Sequence, residues 1–114
     1  MVGSEAEVRA LAPDLRRLAT VPVRGTIVTS AASTPGYDFV SRFFAPASGI
    51  DEDPVTGSAH CSLGPFWAAR LGRSLLVGYQ ASARGGVVVV EVCGQRVRLR
   101  GQATTVFRGE LVVK

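Results

Sequence analysis

The chain has 114 residues, of which 46% are hydrophobic and 19% charged, a composition typical of one globular domain rather than of a disordered segment. No apolar run approaches the roughly 18 residues that a membrane span needs, and no basic-then-apolar signal opens the chain, so the expected location is the cytoplasm. The net charge is +4, but the arginines are scattered and no nucleic-acid-binding motif occurs, so nucleic acid is not an expected partner.

The first predicted elements are a helix and two strands. Glu5–Ala19 has helical periodicity, and Pro13 divides it into two short helices because proline is accepted in a first turn but not inside a helix. β-Branched residues predict a strand over Gly25–Ser30, and a largely apolar run predicts a central strand over Tyr37–Ala45. Within that strand, Arg42 is either a surface residue or the partner of an ion pair that restrains the acidic loop that follows.

A helix and a series of strands come next. Ser58–Leu71 is apolar nearly all round, which predicts a helix in the middle of the domain. Glycine-containing turns then join strands that predict an antiparallel meander curling around this helix. The predicted strands are Leu75–Ala81, Val87–Val92, Arg96–Arg100, Ala103–Arg108 and Leu111–Val113. Cys61 and Cys93 lack a CxxC spacing and are interpreted as core residues, and with His60 as the sole histidine no metal site is expected.

The strongest indication of a functional site is the stretch Ile50–Leu63, IDEDPVTGSAHCSL. It presents three carboxylates immediately before the apolar helix: Asp51, Glu52 and Asp53. The fixed φ angle of Pro54 and the mutual repulsion of the carboxylates restrict the conformations of this loop. A connection from a strand to a helix needs none of these features, so the loop is interpreted as a site.

The start of the helix is predicted to bind an anion. Thr56 and Ser58 are both suitable N-cap residues, and Gly57 between them lets the backbone approach a ligand closely. The free N–H groups of the first turn and the positive end of the helix dipole favour a carboxylate or phosphate, by about 0.3–1 kcal/mol when exposed.

The sequence resembles a known family at this loop and far beyond it. The run Asp51–Cys61 (DEDPVTGSAHC), the segment Asp38–Pro46 (DFVSRFFAP) and further single positions look like the second half of the PhzF-like proteins of phenazine biosynthesis, relatives of diaminopimelate epimerase. The single positions are Leu63, Pro65, Trp67, Leu71, Gly72, Gln80, Ser82, Arg84, Gly85, Gly86, Arg96, Val97 and Gly101.

The resemblance implies an α+β fold, in which a curled mixed or antiparallel sheet wraps around a central buried helix, with an outer N-terminal helix. It also implies that residues 1–114 form a single domain equivalent to the second lobe of such a protein. The first lobe, which carries the glutamate taken as the family's main acid/base, has no counterpart in the chain.

The resemblance further implies a reaction: cofactor-independent isomerisation or epimerisation by proton transfer at a carbon of a small carboxylate-bearing metabolite. Asp53 and Ser58 align with the family's active-site positions, the aspartate close to the reacting carbon. Proton transfer of this kind also needs donors that neutralise the charge developing on the substrate. Backbone N–H groups of Gly57, Ser58 and Ala59, together with Thr56, are the expected anion-binding groups. No cofactor is expected.

Further polar residues are assigned supporting roles. The negative charges of Asp51 and Glu52 favour a protonated Asp53, whereas the helix start favours the ionised form. The sequence does not decide which of the two effects is larger. The other supporting residues are His60, Gln80, Ser82 and Arg84. Each of them also has an ordinary structural interpretation, as a polar residue that shapes a helix, a strand end or a turn.

Two hypotheses follow for the chain as a whole. In the first, two copies pair as a homodimer that replaces the two-lobed enzyme, because half of such an enzyme exposes the apolar rim that its missing lobe covers. In the second, the chain is a non-catalytic anion-binding or interaction module, or it complements a separate N-terminal lobe.

Overall fold

A computed structural model describes residues 1–114 as an α+β fold built on one mixed sheet of five strands, in the order β1-β2-β3-β4-β5. The strands are β1 (Thr26–Ala31), β2 (Phe39–Phe44), β3 (Leu75–Gln80), β4 (Gly86–Cys93) and β5 (Arg96–Arg100). The helices are α1 (Glu5–Ala10), α2 (Leu15–Leu18) and α3 (Gly57–Leu71), with a 3-10 turn at Pro46–Ser48. The predicted α+β class is confirmed, and the sheet is open rather than closed into a barrel.

The connection between β2 and β3 carries the acidic loop and α3. Three neighbouring pairs are antiparallel: β1 with β2, β3 with β4, and β4 with β5. The remaining pair, β2 with β3, is parallel. Parallel neighbours require a crossover connection, and here α3 supplies it. In the shared register Phe39 lies opposite Gly78, and a Cβ at position 78 would come within 2.5 Å of the Phe39 ring.

One face of α3 packs against the sheet. The Trp67 ring stacks on Phe39 with 6.0 Å between ring centroids, and its Nε1–H donates to Thr29 Oγ1 at 3.0 Å. Gly64 brings the helix close to β4, because a Cβ there would lie 2.5 Å from a methyl group of Val90. The core between helix and sheet consists of Phe39, Phe43, Ala45, Ala59, Leu63, Trp67, Leu76, Val88 and Val90.

The opposite face of α3 is exposed, and this corrects the interpretation of the cysteines. Cys61 lies on that outer face and Cys93 lies at the end of β4, and both thiols are exposed and free. The prediction that they are core residues is wrong. The physical reason is that the open sheet covers only one side of the helix, so an apolar residue on the other side has nothing to pack against.

The chain after β5 also differs from the prediction. Residues 101–114 contain neither helix nor strand, so the strands predicted over Ala103–Arg108 and Leu111–Val113 are not formed. Their large apolar side chains are between 76% and 93% exposed: Val106, Phe107, Leu111, Val112 and Val113. β-Branched composition favours a strand, but a strand also needs a paired neighbour and a face to pack on, and these residues neither pair with the edge strand β5 nor bury their side chains.

The N-terminal region follows the predicted division at Pro13. α1 ends before it, and α2 starts after it with Asp14 as N-cap, whose carboxylate accepts from the Arg17 N–H at 3.1 Å. None of the helices combines the length and the apolar character that crossing a membrane requires.

A buried carboxylate fixes α1 to the loop after β1. Glu5 is 4% exposed and accepts hydrogen bonds from the backbone and hydroxyl groups of Ser33 and Thr34 at 2.7–3.1 Å, and from Arg9 at 2.8 Å. Burial alone raises the pKa of Glu5, but the hydrogen bonds from Thr34, Arg9 and Ser33 outweigh it and lower the pKa from 4.5 to about 2. The ionised form is therefore the one that the folded chain stabilises.

Replacing Glu5 with glutamine is expected to remove the contribution of Glu5 to the pH dependence of the free energy of unfolding. The lowered pKa means that the Glu5 contribution, about 3 kcal/mol, is fully present above pH 4.5 and is lost as the pH falls toward 2. Urea unfolding at pH 7, 4 and 3 should therefore show Glu5→Gln far less stable than the wild type at pH 7, with the difference shrinking at lower pH. The exposed neighbour substitution Glu7→Gln is the control. A difference that stays constant with pH would contradict this account.

Candidate functional site

The acidic loop is anchored to the sheet at Asp53. Its N–H donates to the carbonyl of Phe43 at the end of β2, at 3.0 Å. Its carboxylate Oδ2 accepts a short hydrogen bond from the hydroxyl of Thr56, the residue before α3. The other carboxylate oxygen, Oδ1, has no hydrogen-bond partner within the chain. Asp53 is partly exposed, so this oxygen is the one available to a ligand.

Gln80, the last residue of β3, ties the loop to the parallel neighbour of β2. Its side chain is fully buried. The amide oxygen accepts from the Thr56 N–H at 2.7 Å, while Nε2 donates to the Asp53 carbonyl at 2.8 Å and to Thr56 Oγ1 at 3.0 Å. We call Asp53, Thr56 and Gln80 the loop clamp. The sequence predicted Gln80 only as a supporting polar residue.

Ser82 extends this attachment. Its hydroxyl donates to the Pro54 carbonyl at 2.8 Å and accepts from the Gly85 N–H at 2.9 Å. One side chain thus joins the acidic loop to the turn between β3 and β4. This contact agrees with the interpretation of Ser82 as a residue that shapes the neighbouring turn.

The first turn of α3 presents free amides. Thr56 is the N-cap by position, but no side chain caps the helix; the Thr56 hydroxyl donates to Asp53 and accepts from Gln80. The N–H groups of Gly57, Ser58 and Ala59 find no acceptor in the chain. Three unpaired donors at the positive end of a 15-residue helix form an electropositive site beside the Asp53 carboxylate.

Arg24 adds a positive charge at this helix start, and sequence reasoning missed it. Its guanidinium Nη2 donates to Ser58 Oγ at 2.6 Å. Arg24 lies just before β1, next to Gly25, where the Phe43 ring occupies the space that a Cβ would fill. No local pattern could have revealed the contact, because Arg24 and Ser58 lie 34 residues apart and meet only when the sheet has formed.

The three carboxylates of the loop have different surroundings. Glu52 forms a two-point ion pair with Arg42, at 2.7 and 2.9 Å, which confirms the interpretation of Arg42 as a restraint on the loop. Hydrogen bonding to Glu52 raises the pKa of Arg42, and Arg42 also donates to the Leu11 carbonyl at 2.6 Å. Asp51 is exposed and makes no ion pair. Asp53 alone combines partial burial with a free carboxylate oxygen.

His60 lies behind the helix start, inside the core. It is fully buried, its Nδ1 donates to the Thr56 carbonyl at 2.8 Å, and its Nε2 has no partner. Burial lowers the pKa of His60 and so favours the neutral ring. A neutral ring whose one hydrogen bond goes to Thr56 supports the loop clamp from inside the core.

A cavity of about 800 Å³ opens beside the helix start. Its wall joins Val55 and Gly57 to the turn between β3 and β4, and to the chain that follows β5. Arg84 and Arg100 are among its lining residues, and the Arg100 guanidinium is paired with Glu91 at 3.0 Å. Asp53 and Ser58 do not line it, which places these two predicted residues at the helix start but outside the cavity itself. No cluster of three or more His, Cys, Asp or Glu residues is arranged to hold a metal ion.

Comparison with known proteins identifies the family. The PhzC-PhzF family, described as phenazine biosynthesis-like protein, matches residues 1–109. The chain belongs to this family. Among PhzC-PhzF proteins, one named as an uncharacterized isomerase of Pseudomonas aeruginosa is 52% identical over 111 residues, covering 97% of this chain and 42% of that protein. A similarly named protein of Halalkalibacterium halodurans is 47% identical over 112 residues, covering 98% and 42%.

Solved structures of PhzC-PhzF proteins share the fold. A PhzC/PhzF protein of Clostridium difficile superposes with a TM-score of 0.84 at 37% identity, over 98% of this chain and 43% of its own. A PhzF family protein of Enterococcus faecalis gives a TM-score of 0.80 at 39% identity, over 91% and 43%. The chain therefore spans less than half the length of the relatives that it matches.

Inorganic phosphate or acetate is expected to bind at the start of α3. In a titration followed by NMR, the amide signals of Gly57, Ser58 and Ala59 should shift most, because these donors are free. Arg24→Gln should weaken the binding about fivefold, since one charge-assisted donor is worth about 1 kcal/mol at an exposed site. Arg16→Gln, on the exposed surface of α2, is the control. Equal binding by both variants would contradict a role for Arg24.

Proposed function

We propose that this chain is the second lobe of an isomerase or epimerase that moves a proton at a carbon of a small carboxylate-bearing metabolite, without a cofactor. Asp53 exchanges the proton through its free carboxylate oxygen. The three amides at the start of α3, with Arg24, hold the carboxylate of the substrate. The observation that carries the proposal is this juxtaposition of an available carboxylate oxygen and an uncapped helix start.

The chemistry follows from the groups present. When Asp53 removes a proton from the carbon next to the substrate carboxylate, the electron pair of the C–H bond delocalises onto that carboxylate. The added negative charge needs preorganised donors, and backbone N–H groups with a guanidinium supply them. The reaction is completed when an acid on the other face of the carbon returns a proton.

The acid that returns the proton on the other face of the carbon is not supplied by one copy of the chain at this site. Of the other two carboxylates in the loop, Glu52 is held by Arg42 and Asp51 is exposed without a partner. In a symmetric homodimer with facing helix starts, Asp53 of a second copy supplies it. The exposed outer face of α3 and the exposed apolar residues after β5 support such pairing, since apolar surface of this kind is usually covered in a stable protein.

A second candidate function rests on the length comparison. Since the chain spans about two fifths of the first relatives' length, it is also suited to complement a separate first lobe, or to bind a small anion without turnover. Names of relatives include the word isomerase, and they favour the catalytic proposal over this one. The cytoplasmic location stays a prediction.

Solvent deuterium exchange tests the catalytic proposal. Small carboxylic acids incubated with the protein in D₂O are expected to gain deuterium next to the carboxylate, detected by mass spectrometry. Asp53→Asn should lower the rate at least 100-fold, because general acid–base groups contribute about 10²–10⁴-fold. Glu7→Gln removes an exposed carboxylate on α1 and serves as the control. Exchange unchanged in Asp53→Asn would eliminate this residue as the proton-transfer group.

The mass in solution tests the pairing. Light scattering is expected to give twice the 12.0 kDa of one chain. Changing Phe107 and Val112 together to aspartate should convert the dimer to a monomer, because both side chains are more than 75% exposed in the single chain. Thr105→Asp is the polar control in the same segment. A wild-type monomer at high concentration would favour a separate first lobe as the partner.

A further inference from the structure

Asp53 is held in a different way from the other carboxylates of the chain that are not exposed, which are Glu5, Asp38, Glu52 and Glu91. Each of these four is paired with an arginine, which neutralises its charge. Asp53 has no cation: its carboxylate accepts from the Thr56 hydroxyl, its carbonyl accepts from the Gln80 side chain, and its N–H donates to the Phe43 carbonyl. An ionised or proton-exchanging group without a counter-ion depends on hydrogen bonds for its position, and those bonds converge on one buried side chain, Gln80.

The direction of each hydrogen bond in the loop clamp can be assigned from donor and acceptor capacity. Gln80 Oε1 accepts from the Thr56 N–H, so the amide group must present its NH₂ to the remaining two partners. One of them is the Asp53 carbonyl, which can only accept. The other is Thr56 Oγ1, which is therefore an acceptor toward Gln80.

This assignment fixes the proton of the Thr56 hydroxyl. A hydroxyl has a single proton, and the lone pair that faces Gln80 is already in use. The proton must then point to Asp53 Oδ2, the only other partner of this hydroxyl. Gln80 thus orders both ends of Asp53, the carbonyl directly and the carboxylate through Thr56.

We propose that Gln80 is a positioning residue for Asp53, and that the clamp reserves carboxylate oxygen Oδ1 as the proton-exchanging atom. This inference rests on the proposed function. Oδ2 is occupied by the Thr56 hydroxyl, whereas Oδ1 has no partner in the chain. A carboxylate with one tethered and one free oxygen presents a single unoccupied oxygen in a defined direction, which is what proton transfer at carbon requires.

The position of Gln80 in the fold explains how it can form the loop clamp. It ends β3, next to β2 in the parallel pair, and β2 leads into the acidic loop. The side chain therefore reaches across the strand end to the first residues of the crossover. Its complete burial excludes water from competing for the same groups, so the clamp holds one geometry.

The kinetic test uses two variants of nearly unchanged shape, Gln80→Met and Thr56→Val, in the deuterium-exchange assay. Each is expected to lower kcat about 10- to 100-fold with little change in KM, because substrate binding rests on the helix amides and Arg24 while orientation of Asp53 is lost. The double variant should lose no more than either single one. Thr56→Ser restores a hydroxyl and should recover most of the rate.

A matched control separates positioning from stability. Thr29 is buried to a similar extent as Thr56, and its hydroxyl donates to the Val40 carbonyl and accepts from Trp67 on α3. Thr29→Val should lower the unfolding midpoint while leaving kcat unchanged. If Gln80→Met behaves like Thr29→Val, with reduced stability and a normal kcat, Gln80 is only structural and the inference is overturned.

A structural readout keeps the inference testable if the wild type exchanges no deuterium, an outcome that would reject the proposed function alone. NMR couplings should report one χ1 rotamer for Asp53 in the wild type and averaged rotamers in Gln80→Met, with loss of hydrogen-exchange protection at the Thr56 amide. A single Asp53 rotamer retained in Gln80→Met would overturn the positioning role.

Discussion

The buried amide of Gln80 is the contact on which the organisation of the site depends. It joins the end of β3 to the loop that leaves β2, at the place where two parallel strands carry the chain into and out of the α3 crossover. Buried polar groups are stable only when fully paired, and this one uses its oxygen and both hydrogens. Because its three bonds all end on the loop, the Asp53 carboxylate and the first turn of α3 keep a fixed relative position.

The acidic side chains near this contact differ in burial and in pairing. The loop begins with three adjacent acids, but Arg42 neutralises Glu52 and solvent surrounds Asp51, so Asp53 is the carboxylate to which the proposed proton transfer is assigned. The same physical rule governs Glu5, whose buried charge is matched by Arg9 and by four donors of Ser33 and Thr34 in the loop after β1. Asp53 differs in having a hydroxyl instead of a cation, which leaves one oxygen open to a substrate.

The open sheet is the second constraint on function. It covers one face of α3 and leaves the other exposed, and the chain after β5 carries five exposed apolar side chains. The chain matches less than half the length of its relatives. A cleft between two lobes is consistent with both the proposed homodimer and a separate first lobe, and both place a second surface against the uncapped helix start.

Local sequence determined the elements of this protein and the place of its site. Apolar periodicity, the break at Pro13 and β-branched runs set α3, the split N-terminal helix and the five strands, and the series of acids before a helix with small first-turn residues located the loop. These signals act between near neighbours, so they can be read along the chain. Only the tertiary structure decided that Arg24 meets Ser58, that Gln80 holds Asp53, that both cysteines are exposed and that residues 101–114 form no strand. Each of these depends on which distant surfaces face one another, and such contacts exist only after the sheet has brought the segments together.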